Sequence, residues 1–151
     1  MRKLPVNNFI EEKLYKKIID NVPIVVIDVI LTNRGQFLLG KRKNKPLKGA
    51  WCLPGGRLFK GELLKNGAQR KVKEETGLKI KKPSLLTIKE FFLTSAQGPV
   101  THQIDFIFTS ETKGKSAIND GQHAQLRWFS KIEKHWPKYV RDALELAGFH
   151  H

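Results

Sequence analysis

The chain holds one cysteine, one methionine and two tyrosines among its 151 residues. A lone thiol excludes an intramolecular disulfide framework and suits a reducing cytosol, so a cytoplasmic compartment is expected. Cys52 stands between Trp51 and Leu53 in an expected strand, where it reads as a small buried apolar group rather than a reactive thiol. Long hydrophobic runs are missing as well. The longest, Val22 to Leu31, is broken by Pro23 and Asp28 and is too short to cross a bilayer. Met1-Arg2-Lys3 is not followed by the apolar stretch of a signal peptide, so no membrane partner is expected. Acidic residues are scarce, with 14 Asp and Glu against 28 Lys and Arg and a formal net charge of +14. That excess favours anionic ligands and leaves room for weak nucleic-acid binding, but it carries no information about fold. A solvated lysine-rich surface accounts for it equally well. Internal repeats and low-complexity segments are absent too.

A chain of this length is read as one domain over residues 1–151, with residues 1–20 as a helical extension. Asn8 is a candidate cap for a helix from about Phe9 to Ile19 whose apolar side has no core of its own to join. A partner subunit would supply one, and a homodimer is the expectation. Ile24 to Leu31 reads as a β-branched strand joined by Asn33-Arg34-Gly35 to a second strand, Gln36 to Gly40. Asp28 shares a strand face with Ile24, Val26 and Ile30, a place a carboxylate rarely takes unless it is paired or functional. A salt bridge at the strand end is the plainer alternative. Further strands are expected at about Leu85–Phe92, His102–Thr109 and Leu126–Phe129, with Thr94–Val100 as a turn. A last helix is expected from Ile132 or Pro137 to Ala147. The terminal His150-His151 pair is set aside.

The densest signal runs from Gly55 to Leu78. A glycine turn and loop lead into a helix expected over Glu62–Thr76, with Leu64, Ala68 and Val72 facing a core and Gly77 as its C-cap. Gly67 in mid-helix costs about 1 kcal/mol relative to alanine, which implies a close approach there. Arg70 stands one turn before Glu74, close enough to orient it. Glu74 and Glu75 beside a glycine turn make a set of hard oxygen ligands suited to Mg2+, with Mn2+ as an alternative. A metal so held neutralises a diphosphate. An ordinary amphipathic helix with a solvated charged face is the bland reading of the same residues.

The spacing from Gly56 through Glu62, Arg70, Glu74 and Glu75 to Gly77-Leu78, preceded by Trp51-Cys52-Leu53-Pro54, resembles the Nudix box. One position departs: Lys71 stands where the family places a glutamate. The resemblance implies an α/β/α sandwich with a central mixed sheet, which agrees with the order of elements. Outside the box, Asp28, Asn33 to Arg42, Pro46, Gly49-Ala50-Trp51, Thr101-His102 and Gln122-His123 with Arg127-Trp128 are similar to the GDP-mannose mannosyl hydrolase branch. That likeness implies water attack at the anomeric carbon of a nucleotide sugar, with release of intact nucleoside diphosphate. By position, it implies the Gly55 carbonyl, Glu75 and Gln122 as metal ligands, with Glu74 available to a further ion. His123 would be the general base, Arg57 and Arg70 would hold the diphosphate, and Asp28 and Arg42 would position the substrate.

The likeness is incomplete. Gln103 stands where the branch has tyrosine, and the preceding loop is shorter and lacks a histidine. Two other readings stay open. One is a conventional Nudix diphosphohydrolase attacking phosphorus, which Glu62, Glu74 and Glu75 favour and Lys71 opposes. The other is a weakly active Nudix-fold protein whose basic surface binds RNA, although no RNA-binding module is recognisable.

Overall fold

The computed structural model describes residue 6 and residues 9–44, 47–95, 98–114 and 123–151, with the side chains of 94, 95, 98–100, 123 and 124 outside that description. In chain order the elements are α1 (Glu12–Asn21), β1 (Ile24–Asn33), β2 (Gln36–Arg42), β3 (Trp51–Cys52), β4 (Gly55–Arg57), α2 (Leu64–Thr76), β5 (Ser84–Ser95), β6 (Gly98–Glu111), β7 (His123–Phe129) and α3 (Lys138–Leu146).

The β-branched run of β1 forms the middle of the sheet. β1 pairs with β2 in antiparallel fashion through a two-residue turn in which Arg34 and Gly35 both have positive φ, 49° and 77°. Such a turn matches the twist of the strands it joins. On its other side β1 runs parallel to β6, and β6 pairs antiparallel with the edge strand β5. β4 pairs with β1 and β7 with β2, so the sheet is mixed.

Side-chain alternation along β1 divides the core in two. Ile27, Val29 and Leu31 pack against Ala68 and Val72 of α2. Ile30, with Phe37 and Leu39 of β2, packs against Val140, Ala143 and Leu144 of α3. Helices therefore cover both faces of the mixed sheet, the α/β/α sandwich expected from the sequence.

Several boundaries differ, each for a local reason. α2 begins at Leu64 because the Glu62 carboxylate accepts the Phe59 N–H and Gly61 turns with φ 84°, which holds Glu62 in the loop. α1 covers Glu12–Asn21 rather than Phe9–Ile19. It runs on until Val22, which Pro23 forces into extended backbone. Phe9 lies outside the helix and is exposed; Asn8 lies outside the described residues. Nor is α1 without a surface to join, since it packs against β6. The expected turn Thr94–Val100 is mostly strand, with Ser95 paired to Gly98 at the tip of the β5–β6 hairpin. At the C-terminus the His150 carbonyl accepts the Ile132 N–H at 2.8 Å, so the terminal pair belongs to the fold.

Candidate functional site

Gly55 is where two halves of the site meet. Its N–H donates to Glu75 Oε2 at 3.0 Å, and β4 pairing sets Gly55 opposite Asp28 on β1. A Cβ at Gly55 would collide with the Asp28 carboxyl and the Ile27 carbonyl, so only glycine fits. On one side of this strand lies a cavity of about 230 Å³; on the other lies the carboxylate cluster of α2.

The cavity is walled by Tyr15 of α1, Arg42 of β2, Arg57 of β4, Phe91 of β5, Gln103 of β6 and Tyr139 of α3, with Asp28 among its lining. Among the described residues Asp28 forms no strand-end salt bridge. The titratable group that acts on it most strongly is Asp105 on β6, a fully buried carboxylate on the same sheet face. Among the described residues Asp105 makes no well-aligned hydrogen bond to a donor, and it interacts with the carboxyl and amide of Asp28. Burial, and then the charge of Asp105, push the Asp28 carboxyl well above its ordinary range. Burial pushes Asp105 up to about 6. Burial and mutual repulsion thus both work against the pair being ionised together. Burial also raises the Tyr139 hydroxyl and the Cys52 thiol, which lie together at the cavity wall.

The second half is built around Arg70. Its Nε donates to Glu62 Oε1 at 2.6 Å, its Nη2 to Glu62 Oε2 and the Arg57 carbonyl at 3.0 Å, and its Nη1 to Glu74 at 3.2 Å. The ring of Phe59 lies under this guanidinium, 3.6 Å from its carbon, and 4.9 Å from that of Arg57. Burial works against the Glu62 carboxylate, but its bonds to Arg70 and to the Phe59 N–H outweigh that and hold its pKa below the usual range. Arg70 thus clamps the loop before α2 onto the helix. Gly67 allows the close approach, since a Cβ there would lie 2.5 Å from Ile27 Cδ1. Gly77 ends the helix with φ 75° as its C-cap.

Glu75 is fully buried, and its Oε1 lies 2.9 Å from Lys71 Nζ. Glu74 is half exposed and lies 3.4 Å from the same ammonium. Hard carboxylate oxygens of this kind fit a divalent cation of the Mg2+ class. Among the described residues, no three His, Cys, Asp or Glu side chains converge, so further ligands would be a backbone carbonyl, water or substrate phosphate. Gln122 lies outside the described residues. The backbone of His123 pairs with Arg42, a cavity residue, while its side chain lies outside the description. The structure thus brings Asp28, Arg42, Gly55 and Arg57 together at the cavity, and gathers Arg70, Glu74 and Glu75 beside it.

Asp105, Tyr15, Phe91 and Tyr139 were not singled out from sequence. Asp105 carried a readable signal, a lone carboxylate within the apolar strand Ile104 to Phe108. The aromatics carried none, because they come from three separate elements.

A family model described as NUDIX domain matches residues 22–143. The chain is 32% identical over 134 residues to the low-salt glycan biosynthesis protein Agl8 of Haloferax volcanii, covering 87% of this chain and 86% of that one. It is 38% identical to an ADP-ribose pyrophosphatase of Methanocaldococcus jannaschii, over 74% of this chain and 66% of that one. It is 31% identical to the human 8-oxo-dGDP phosphatase NUDT18 over 84% of this chain, but spans only 38% of that protein's length. Among solved structures, a MutT NUDIX hydrolase from Burkholderia pseudomallei superposes with a TM-score of 0.74 at 26% identity, over 83% of this chain and 98% of that one.

Proposed function

The chain belongs to the Nudix family, and from that premise we propose that it hydrolyses a nucleotide sugar, a GDP-hexose such as GDP-mannose, at the anomeric carbon. The observation that carries this reading is the cavity itself. It combines the Asp28 carboxyl, backed by the buried Asp105, with two arginines and aromatic walls, and a single glycine separates it from a buried metal-type carboxylate. Aromatic faces suit a base or sugar, and carboxyl oxygens accept ring hydroxyls or exocyclic amines. Arg42 and Arg57 suit the diphosphate, whose oxygen pairs fit a guanidinium fork. Arg70 has its nitrogens engaged by Glu62, Glu74 and the Arg57 carbonyl. Its part in diphosphate binding is accordingly to set the position of Arg57.

A Mg2+ or Mn2+ ion held by Glu75, the Gly55 carbonyl and Gln122 would neutralise charge on the leaving diphosphate. The chain's own groups supply the remaining requirements. Asp28 and Arg42 hold the sugar nucleotide against the cavity wall, and His123 takes a proton from the attacking water. The name of the Haloferax relative, a glycan biosynthesis protein, is in keeping with a sugar-bearing substrate. A homodimer belongs to the same reading. Leu85, Ile88 and Phe92 are exposed on edge strand β5 and Leu14 on α1, apolar surface that a second copy would cover.

A second reading, attack at phosphorus, is favoured by the exposed Glu74, which could serve a further metal ion, and by the pyrophosphatase and phosphatase names of other relatives. Hydrolysis of GDP-mannose with Mg2+ in 18O-labelled water separates the two. Label on free mannose with unlabelled GDP is the expected result; label on GMP or mannose 1-phosphate would establish attack at phosphorus. His123→Gln is expected to slow turnover by about a hundredfold or more while GDP binding persists. A fall in GDP affinity in step with rate would remove His123 from the role of base.

A further inference from the structure

Lys71 is buried, although lysine is among the residues least often buried without a partner. Its Nζ stands 2.9 Å from Glu75 Oε1 and 3.4 Å from Glu74 Oε2, within reach of both carboxylates suited to a metal. The side chain reaches them across the bare face of Gly56, where a Cβ would lie 2.7 Å from Lys71 Cε and 3.1 Å from Nζ. The neighbouring strand is therefore shaped to let this ammonium in. We propose that the Lys71 ammonium is a resident cation of the Glu74–Glu75 cluster, standing in by charge for a second divalent ion and limiting the site to one.

The argument is one of charge and space. Three carboxylates, Glu62, Glu74 and Glu75, against two cations, Arg70 and Lys71, keep a single net negative charge, enough to attract one divalent ion. An acidic side chain in place of Lys71 would add a ligand and remove the internal cation, the condition under which two metal ions gather. A tethered cation beside the site also repels any entering ion, and the repulsion is strong where water is excluded. Removing the charge without adding a ligand should therefore tighten the first ion without creating a second site.

The inference rests on the reading of Glu75 as a metal ligand, and the experiment keeps the two apart. Mn2+ is titrated into the full chain by electron paramagnetic resonance and calorimetry, for the wild type, Lys71→Gln, Lys71→Glu, Lys71→Arg and Glu75→Gln. The wild type and Lys71→Arg are expected to bind one ion with similar affinity. Lys71→Gln should bind one ion about tenfold more tightly, and Lys71→Glu two. Two ions in the wild type, or an unchanged affinity in Lys71→Gln, would overturn the proposal even if Lys71→Glu fails to fold. Loss of Mn2+ binding in Glu75→Gln is expected in every case; its persistence would instead overturn the metal reading itself.

Discussion

Asp105 is costly to ionise in the folded chain. It sits at zero exposure on β6, facing Asp28, and burial raises its pKa from 3.8 to about 6. An acid with a raised folded pKa keeps its proton in the native state after the unfolded chain has lost it. Stability is therefore unaffected below about pH 4, falls as pH rises from there to about 6, and carries the full penalty above that. A shift of this size corresponds to something on the order of 3 kcal/mol. Asp105→Asn removes the penalty, so its melting temperature should exceed that of the wild type by several degrees at pH 7.5 and by almost nothing at pH 4. A difference that stays constant across this range would mean that Asp105 is not the titrating group. Glu62 works in the opposite sense. Its pKa is held low, chiefly by Arg70 working against burial, so the stability it contributes is present at neutral pH and lost as pH falls through the acid range. Asp28 was legible from sequence as an ionisable residue out of place, and Asp105 obeys the same rule one strand away. What the sequence could not supply was that β1 and β6 run in parallel register, which sets Asp105 opposite Val26 and so on the same sheet face as Asp28, two residues along.

At the scale of elements, the site depends on how closely β4 approaches its neighbours. β4 is three residues long and contributes Gly55, Gly56 and Arg57, each used differently. Gly55 leaves room for Asp28 and donates to Glu75, Gly56 leaves room for Lys71, and the carbonyl of Arg57 receives Arg70. Gly55→Ala should destabilise the chain by about 1–3 kcal/mol in a urea titration, since the added methyl meets a backbone carbonyl as well as a side chain. It should also lower Mn2+ affinity, because Glu75 loses the backbone donor that orients it. A variant with wild-type stability and metal affinity would show that β4 can retreat without consequence. The helix side of this arrangement was readable in advance. Arg70 over Glu74, the packing of Ala68 and Val72, the close approach at Gly67 and the Gly77 cap all follow from local spacing. The dominant partner of Arg70 was not readable. Glu62 lies eight residues away across a turn, and its pairing depends on the loop conformation that Gly61 and the Phe59 N–H impose.

At the scale of the whole molecule, the net charge of +14 divides into parts with different expected effects. Arg42 and Arg57 face the cavity. Lys79, Lys81, Lys82 and Lys113 line a separate cleft that shares no residue with it. In the proposed function the cavity arginines would meet a diphosphate at short range, where salt screens weakly, whereas exposed lysines act through solvent and are screened within about 8–10 Å. Substrate turnover and binding of a polyanion should therefore respond to different residues. A triple variant, Lys79→Gln, Lys81→Gln and Lys82→Gln, should keep the kcat of the wild type towards a nucleotide sugar. Its binding to a single-stranded oligonucleotide should lose about two units of slope in a plot of log affinity against log salt, roughly 0.7 for each phosphate contact removed. If instead kcat falls with the lysines, the cleft takes part in the reaction. If the salt slope is unchanged, the affinity for polyanions resides elsewhere on the basic surface.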